Sequence, residues 1–245
     1  MIRKLFLGRN LWATLIILAG VAFLCRLGFW QLERHEQRRA LNAQIVAGMA
    51  LPPTTLREPL PSIDELDYRH VAVRGVFDTE HEILLRNRSL NGATGYHLIT
   101  PLRLSGSDAA VLIDRGWIPL TESDPQSRAI FAPPAGELQL VGIARRSQAG
   151  SGGPQDPPFS AERPRLDAWF RIDIERIQQQ TPYRLLPVFI QLQPDEGAPT
   201  TLPQPVATTD LGMGSHLGYA IQWFSFAVIF LVGYIIFMQR RSPSP

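Results

Sequence analysis

The sequence predicts a membrane protein of α+β class, with two transmembrane helices flanking an external, mainly antiparallel β domain built as a small barrel or sandwich. Three observations lead there. Leu217 to Met238 contains no Asp, Glu, Lys or Arg. A second apolar run, Leu11 to Cys25, lies near the other end and resumes at Leu27, Phe29 and Trp30. Between them, short segments alternate apolar and polar residues with period two and are separated by turn residues, the pattern of half-buried strands.

Residues 1–10 carry Arg3, Lys4 and Arg9 ahead of the first apolar run. Such a run could be a cleaved signal peptide or a retained span. The small residues Gly20 and Ala22 that would mimic a cleavage site lie inside the run rather than after it, which favours a retained helix over residues 11–30. Arg26 can keep its stem in lipid and its head at the interface. Gln31 to Met49 has no helix breaker before Gly48, so a helix leaves the membrane here and stops at Pro52 and Pro53.

The strands then follow in order: Tyr68 to Phe77; a hairpin of HEILLRN and YHLITPLRL joined by SLNGATG; Ala109 to Leu120; Gly136 to Ser147; and Tyr183 to Pro194. A Gly/Pro-rich loop, QAGSGGPQDPP, a short helix within Arg171 to Gln180, and a linker over Pro199 to Asp210 fill the intervals. Five or six strands with short turns suit a small barrel or sandwich, and the external domain runs from 31 to 210.

The second span covers residues 217–238. About 22 residues rise ~33 Å, enough to cross the hydrocarbon of a bilayer. Arg240 and Arg241 close it, and no Lys or Arg lies between Arg184 and Arg240. By the positive-inside rule both short termini, 1–10 and 239–245, are cytoplasmic or on the matrix side. The central domain is then periplasmic in a bacterial inner (plasma) membrane, or faces the intermembrane space in a mitochondrion. His216 stands at the entrance to this span, with Tyr219 and Trp223 three and seven residues on. These offsets share one helix face. The same three residues also suit an ordinary interfacial belt, with a solvated histidine at headgroup depth.

Composition narrows the function classes. A net charge of +2 and no Lys/Arg cluster interleaved with aromatics give no basis for a nucleic-acid partner. The single cysteine, Cys25, lies in the first apolar run, so the external domain has neither disulfide nor thiolate metal site. No GxSxG elbow occurs, Leu85 stands where a zinc helix beginning at His81-Glu82 needs its second histidine, and Gly212, Gly214 and Gly218 lack dinucleotide-binding spacing. His70, His81 and His97 are scattered on strands or their ends, as surface or satisfied-core histidines. No enzyme is expected. Asp114-Arg115-Gly116-Trp117 is the most distinctive soluble piece: Gly116 suits a bulge or a close backbone approach, or the segment is a strand end whose Trp packs on the barrel.

Three motifs in order carry a family resemblance. GFWQLERHEQRR after the first span resembles G-x-W-Q-L-x-R, RGWIP resembles R-G-W-[VI]-P, and HLGYAIQWF resembles H-L-x-Y-A-x-x-W-[FY], the signatures of the surfeit-locus family of cytochrome c oxidase assembly proteins. The motif positions fall on Gly28, Trp30, Gln31 and Arg34, on Arg115, Gly116, Trp117 and Pro119, and on His216, Tyr219 and Trp223. The resemblance implies a non-enzymatic factor in respiratory-chain biogenesis. It would aid haem a insertion into the oxidase catalytic subunit or stabilise an assembly intermediate, with haem a synthase and membrane lipid as further partners.

The resemblance also implies that His216 is the ligand of a transiently bound haem a iron. A neutral imidazole suits that role, and an aromatic, apolar helix face suits the macrocycle. Arg34 or Arg115 could fork onto propionates. Gly214-Ser215 departs from the polar Asn or Glu that commonly precedes the family histidine. A membrane-anchored binding module or sensor unconnected with an oxidase is the alternative, although neither terminus is long enough for an output domain. A membrane-tethered hydrolase lacks a recognisable nucleophile–base set.

Overall fold

A computed structural model describes residues 9–150, 153–194, 201–206, 212 and 214–240. Arg3, Lys4, Arg241 and parts of the Gly/Pro-rich loop and of the linker into the second span lie outside the described residues. In chain order the elements are α1 (Arg9–Met49), β1 (Thr54–Thr55), α2 (Ile63–Leu66), β2 (His70–Phe77), β3 (Ile83–Leu90), β4 (Ala93–Leu104), β5 (Ala109–Pro119), α3 (Pro125–Arg128), β6 (Glu137–Arg146), β7 (Ala168–Trp169), α4 (Ile174–Gln178), β8 (Arg184–Leu192) and α5 (His216–Arg240). They fall into two units: a helical one of residues 1–44 and 211–245, and a β unit of residues 45–210.

In the helical unit, α1 and α5 are each long and apolar enough to cross a membrane. They run antiparallel. The Thr14 and Tyr234 hydroxyls are 2.6 Å apart, Phe29 meets Phe224 edge to face at 5.3 Å, and Arg38 Nε donates to the Gly212 carbonyl at 3.2 Å. Among the described residues, Thr14, Gly28 and Asn42 of α1 are buried, and the half-buried Val21 and His35 fall midway between them, a spacing of seven. That period is the one that keeps a seam facing its partner. Ala220 and Ala227 repeat it on α5. Most large apolar side chains of α5, including Ile221, Val228, Ile229 and Phe230, are exposed, which suits a helix whose solvent is lipid. No break separates the predicted span 11–30 from the helix that follows it. At 41 residues α1 is about 60 Å long, roughly twice the hydrocarbon thickness.

The β unit is a closed barrel. β2 pairs with β6, β6 with β8, β8 with β5, β5 with β4, and β4 returns to β2 through Gly75↔Leu104, Val76↔Arg103 and Phe77↔Leu102. A ring of five strands cannot alternate direction all the way round, so one neighbouring pair must be parallel. That pair is β5–β8, and every other pair in the ring is antiparallel, as expected for a mainly antiparallel domain. β3 extends the sheet from β4 and carries β7, while β1 lies along β2.

Residues from all five ring strands, among them Val73, Leu102, Val111, Ala144 and Val188, form one apolar cluster inside the barrel. The opposite face of β5, Ala110 and Leu112, packs under Trp169, Ile172 and Ile177 in a second cluster. β5 is therefore buried on both faces from Ala109 to Ile118, which explains its continuous apolar character.

The hairpin turn is tighter than the predicted SLNGATG. β3 runs through Leu90 and β4 starts at Ala93, leaving only Asn91 and Gly92 between them, with φ of 51° and 82°. Two consecutive positive φ angles are the signature of the two-residue turn whose twist matches paired strands, and Asn-Gly is its preferred sequence.

Candidate functional site

The helical unit brings the first and third sequence motifs together. α5 starts at His216, and the antiparallel pairing sets Gln31 of α1 opposite it. His216 Nδ1 lies 2.9 Å from Gln31 Oε1. Because the amide oxygen only accepts, Nδ1 must carry the proton, and a neutral His216 keeps its lone pair on Nε2. This is the arrangement by which proteins orient a metal-ligating imidazole: one ring nitrogen is tied down and the other is free to bind.

Two glycines shape the surroundings. At Gly28 a Cβ would come within 2.7 Å of the Phe224 ring, so the close approach of the two helices just below the His–Gln pair needs a residue without a side chain. Gly214 has φ +64°, and a Cβ there would stand 3.1 Å from His216 Cδ2 and 3.3 Å from Nε2. The departure from the family's polar residue thus falls beside this histidine, where any side chain at position 214 would press on the Nε2 edge. These residues fit a haem ligand.

The other predicted residues of this unit lie around that pair. Arg34 stacks on Trp30 at 5.8 Å and donates to Gln37 at 3.2 Å, exposed on α1. Trp223 is half-buried and meets Phe226 edge to face at 6.1 Å. Tyr219 is 49% exposed and starts the helix ladder by donating its N–H to the Ser215 carbonyl at 3.0 Å.

The second motif organises the barrel. Leu98 pairs with Gly116 but Ile99 pairs with Asp114, so Arg115 is the extra residue of a β-bulge. Arg115 is 8% exposed. It meets Glu82 at 3.0 Å and Thr100 at 3.5 Å, donates to the Phe131 carbonyl, and stacks over Phe77 at 5.5 Å. Burial pulls the Arg115 pKa below its ordinary value, while the Glu82 carboxylate works the other way. The guanidinium predicted as a propionate partner is thus already joined to a carboxylate of the barrel. Gly116 has φ +121°, and a Cβ there would stand 2.3 Å from the Gln204 backbone. Trp117 exchanges backbone hydrogen bonds with Gln204 at 2.7 and 2.9 Å, and its indole donates to the Arg88 carbonyl at 3.3 Å. Pro119, which has no N–H to continue the ladder, ends β5.

Two features were not legible in residue order. Glu82 serves Arg115 from another strand, and His97 pairs with Asp114 at 2.9 Å with both residues 4% exposed. His97 is a satisfied core histidine, as expected. Among the described residues the one cluster with metal-ligand spacing is Asp78, Glu80 and His81, and Asp78 is already bonded to His81 and to the Tyr183 hydroxyl.

A family model described as the SURF1 family matches residues 18–228. A SURF1-like protein of Monosiga brevicollis is 27% identical over 244 residues, covering 96% of this chain and 89% of that protein. A SURF1-like protein of Rickettsia felis is 25% identical over 233 residues, covering 93% and 97%. Surfeit locus protein 1 of Mus musculus is 26% identical over 246 residues, covering 94% and 76%.

Proposed function

The chain belongs to the SURF1 family, and we propose that it is an assembly factor for haem–copper cytochrome c oxidase that helps place haem a in the catalytic subunit. The observation that carries this is the His216–Gln31 pair, with a glycine at 214 where a side chain would press on the Nε2 edge. When bound, haem a would supply a hydrophobic macrocycle and an iron that accepts an imidazole ligand. The residues of this chain do the rest. Gln31 fixes the His216 tautomer, Gly214 leaves room beside the ring, and Tyr219 and Trp223 give an aromatic border. Arg34, exposed beside Trp30, is the better placed of the two arginines to meet a propionate, because Arg115 would first have to give up Glu82.

The role is a non-enzymatic one: to hold and present a cofactor, or to hold the catalytic subunit until it is loaded. α1 and α5 span a bacterial inner membrane with both termini cytoplasmic, so the barrel and the outer half of α1 stand in the periplasm. The partners are the oxidase catalytic subunit, haem a synthase as the source of the cofactor, and the lipid around the two helices. The test is a reduced-minus-oxidised visible spectrum of membranes from a strain lacking this gene. A selective loss of the a-type haem signal, restored by the gene, is expected. An unchanged a-type signal in a strain cleared of paralogues would refute the role.

A further inference from the structure

Arg88 is a half-buried arginine for which no described residue provides an acceptor. Its side chain makes no hydrogen bond or ion pair with any described residue, and its Nε is buried without a partner. The contrast with Arg115 is direct, since that guanidinium has Glu82 at 3.0 Å. The carboxylate that acts on Arg88 is Asp114, through space only. Asp114 is taken up by other donors: His97 Nδ1 at 2.9 Å, the Gly116 N–H at 3.1 Å and Gln191 Nε2 at 3.5 Å. Burial pulls the Arg88 pKa down while Asp114 works to raise it. A buried N–H left without an acceptor is costly, and Arg88 Nε is one.

The local backbone is built to put it there. Leu85 pairs with His97 and Arg88 with Gly95, so Arg86 and Asn87 together oppose one residue, a bulge in β3, and Asn87 takes a φ of +57°. Bulges of this kind re-aim the side chains that follow them. Arg88 and Gln148 stand between two spaces. On the inner side is a chamber of about 50 Å³ bordered by His97 and Asp114. On the outer side is a cavity of about 380 Å³ bordered by Arg86, Phe170 and Arg171, with no acidic residue in its lining. Arg86 stacks over Phe170 at 5.3 Å, and Arg171 donates to the Gly153 and Pro154 carbonyls. Three arginines and an aromatic wall therefore surround a space large enough for a small ligand.

We propose that this cavity is an oxyanion site, in which Arg88 forks onto the carboxylate or phosphate of a small molecule while Arg86 and Phe170 border its body. Guanidinium presents two parallel N–H donors that match either group. The site shares no residue with the His216–Gln31 pair, and the proposal does not depend on the haem role.

The test uses the full chain in a non-ionic detergent, with thermal unfolding followed while inorganic phosphate or benzoate replaces chloride at constant ionic strength. A ligand that binds the folded state raises Tm with dose. The expected result is a saturable rise with at least one of the two anions. Phosphate alone would assign a phosphate ligand, and benzoate alone a carboxylate on an apolar body. Arg88→Gln should abolish the rise. Arg88→Lys, which keeps the charge and loses the fork, should need roughly tenfold more anion. Arg86→Gln at the exposed rim should need several-fold more, and Arg57→Gln, on an exposed residue outside the cavity lining, should behave as wild type. If Arg88→Gln does not fold, the Lys and Arg86 variants decide. The proposal is overturned if neither anion shifts the wild type beyond chloride, or if Arg88→Lys and Arg86→Gln respond at wild-type concentrations.

Discussion

Replacing Gly116 by alanine should destabilise the barrel for two separable reasons. The first is conformational: φ at this residue is +121°, a region in which an L side chain is strained by about 1–3 kcal/mol. The second is steric: the new Cβ would stand 2.3 Å from the carbonyl carbon and oxygen of Gln204 and 2.5 Å from Pro205 N. These are backbone atoms that cannot swing away as a side-chain tip could. Forcing them apart strains the two hydrogen bonds between Trp117 and Gln204 and adds about 1–3 kcal/mol of overpacking. The sum is about 2–6 kcal/mol. For a unit of this size each kcal/mol moves Tm by roughly 2–4 °C.

Gly106→Ala provides the comparison, because φ there is +76° with nothing within 4 Å of the new Cβ. That variant should show the conformational cost alone. Thermal unfolding of the full chain in detergent, followed by Trp fluorescence, gives both values. Equal losses at the two positions would refute the close approach to Gln204, and a loss at Gly116 under about 0.5 kcal/mol would refute the whole account of that residue.

Two more outcomes follow from the barrel. Glu82→Ala leaves the buried Arg115 charge without its carboxylate and should cost about 3–5 kcal/mol in denaturant unfolding, as for other buried pairs broken on one side. Under ~1 kcal/mol would mean that Arg115 is not paired as described. Tyr183→Phe should move acid unfolding to higher pH. Burial pushes the Asp78 carboxyl up, but the Tyr183 hydroxyl at 2.8 Å and His81 together outweigh it and hold the group below its ordinary 3.8. A depressed carboxylate contributes stability above its unfolded pKa and loses it as pH falls through the folded one. Removing the hydroxyl raises the folded value and brings that loss in earlier. An acid midpoint that stays put or falls would contradict this.

Much of the architecture could be read from residue order because its causes are local. Period-two alternation marks the long strands, long apolar runs mark both spans, and Asn91-Gly92 carries the turn chemistry of the hairpin. What escaped depends on contacts between distant residues. Barrel closure through β2–β4 and the parallel β5–β8 pair leave no periodic signal. In sequence Glu82 stands beside His81, while its partner Arg115 lies 33 positions along the chain. Arg88 carries no local mark, since its significance is the absence of an acceptor among the described residues. The pairing of Gln31 with His216 was half visible. Both residues stand in motifs, but the helix seam with its spacing of seven, which sets them opposite each other, runs beyond either motif.

The central claim is that His216, held by Gln31, is the haem a ligand through which this protein serves oxidase assembly. It is tested most directly by returning His216→Ala to a deletion strain and measuring the a-type haem signal of the membranes, with the variant's own abundance checked by immunoblot. The account predicts a signal near that of the deletion strain at normal protein abundance. Gln31→Leu should fall between this and wild type, since loss of such an orienting partner typically weakens metal affinity about 10–100-fold. Full restoration of the a-type signal by His216→Ala would contradict it.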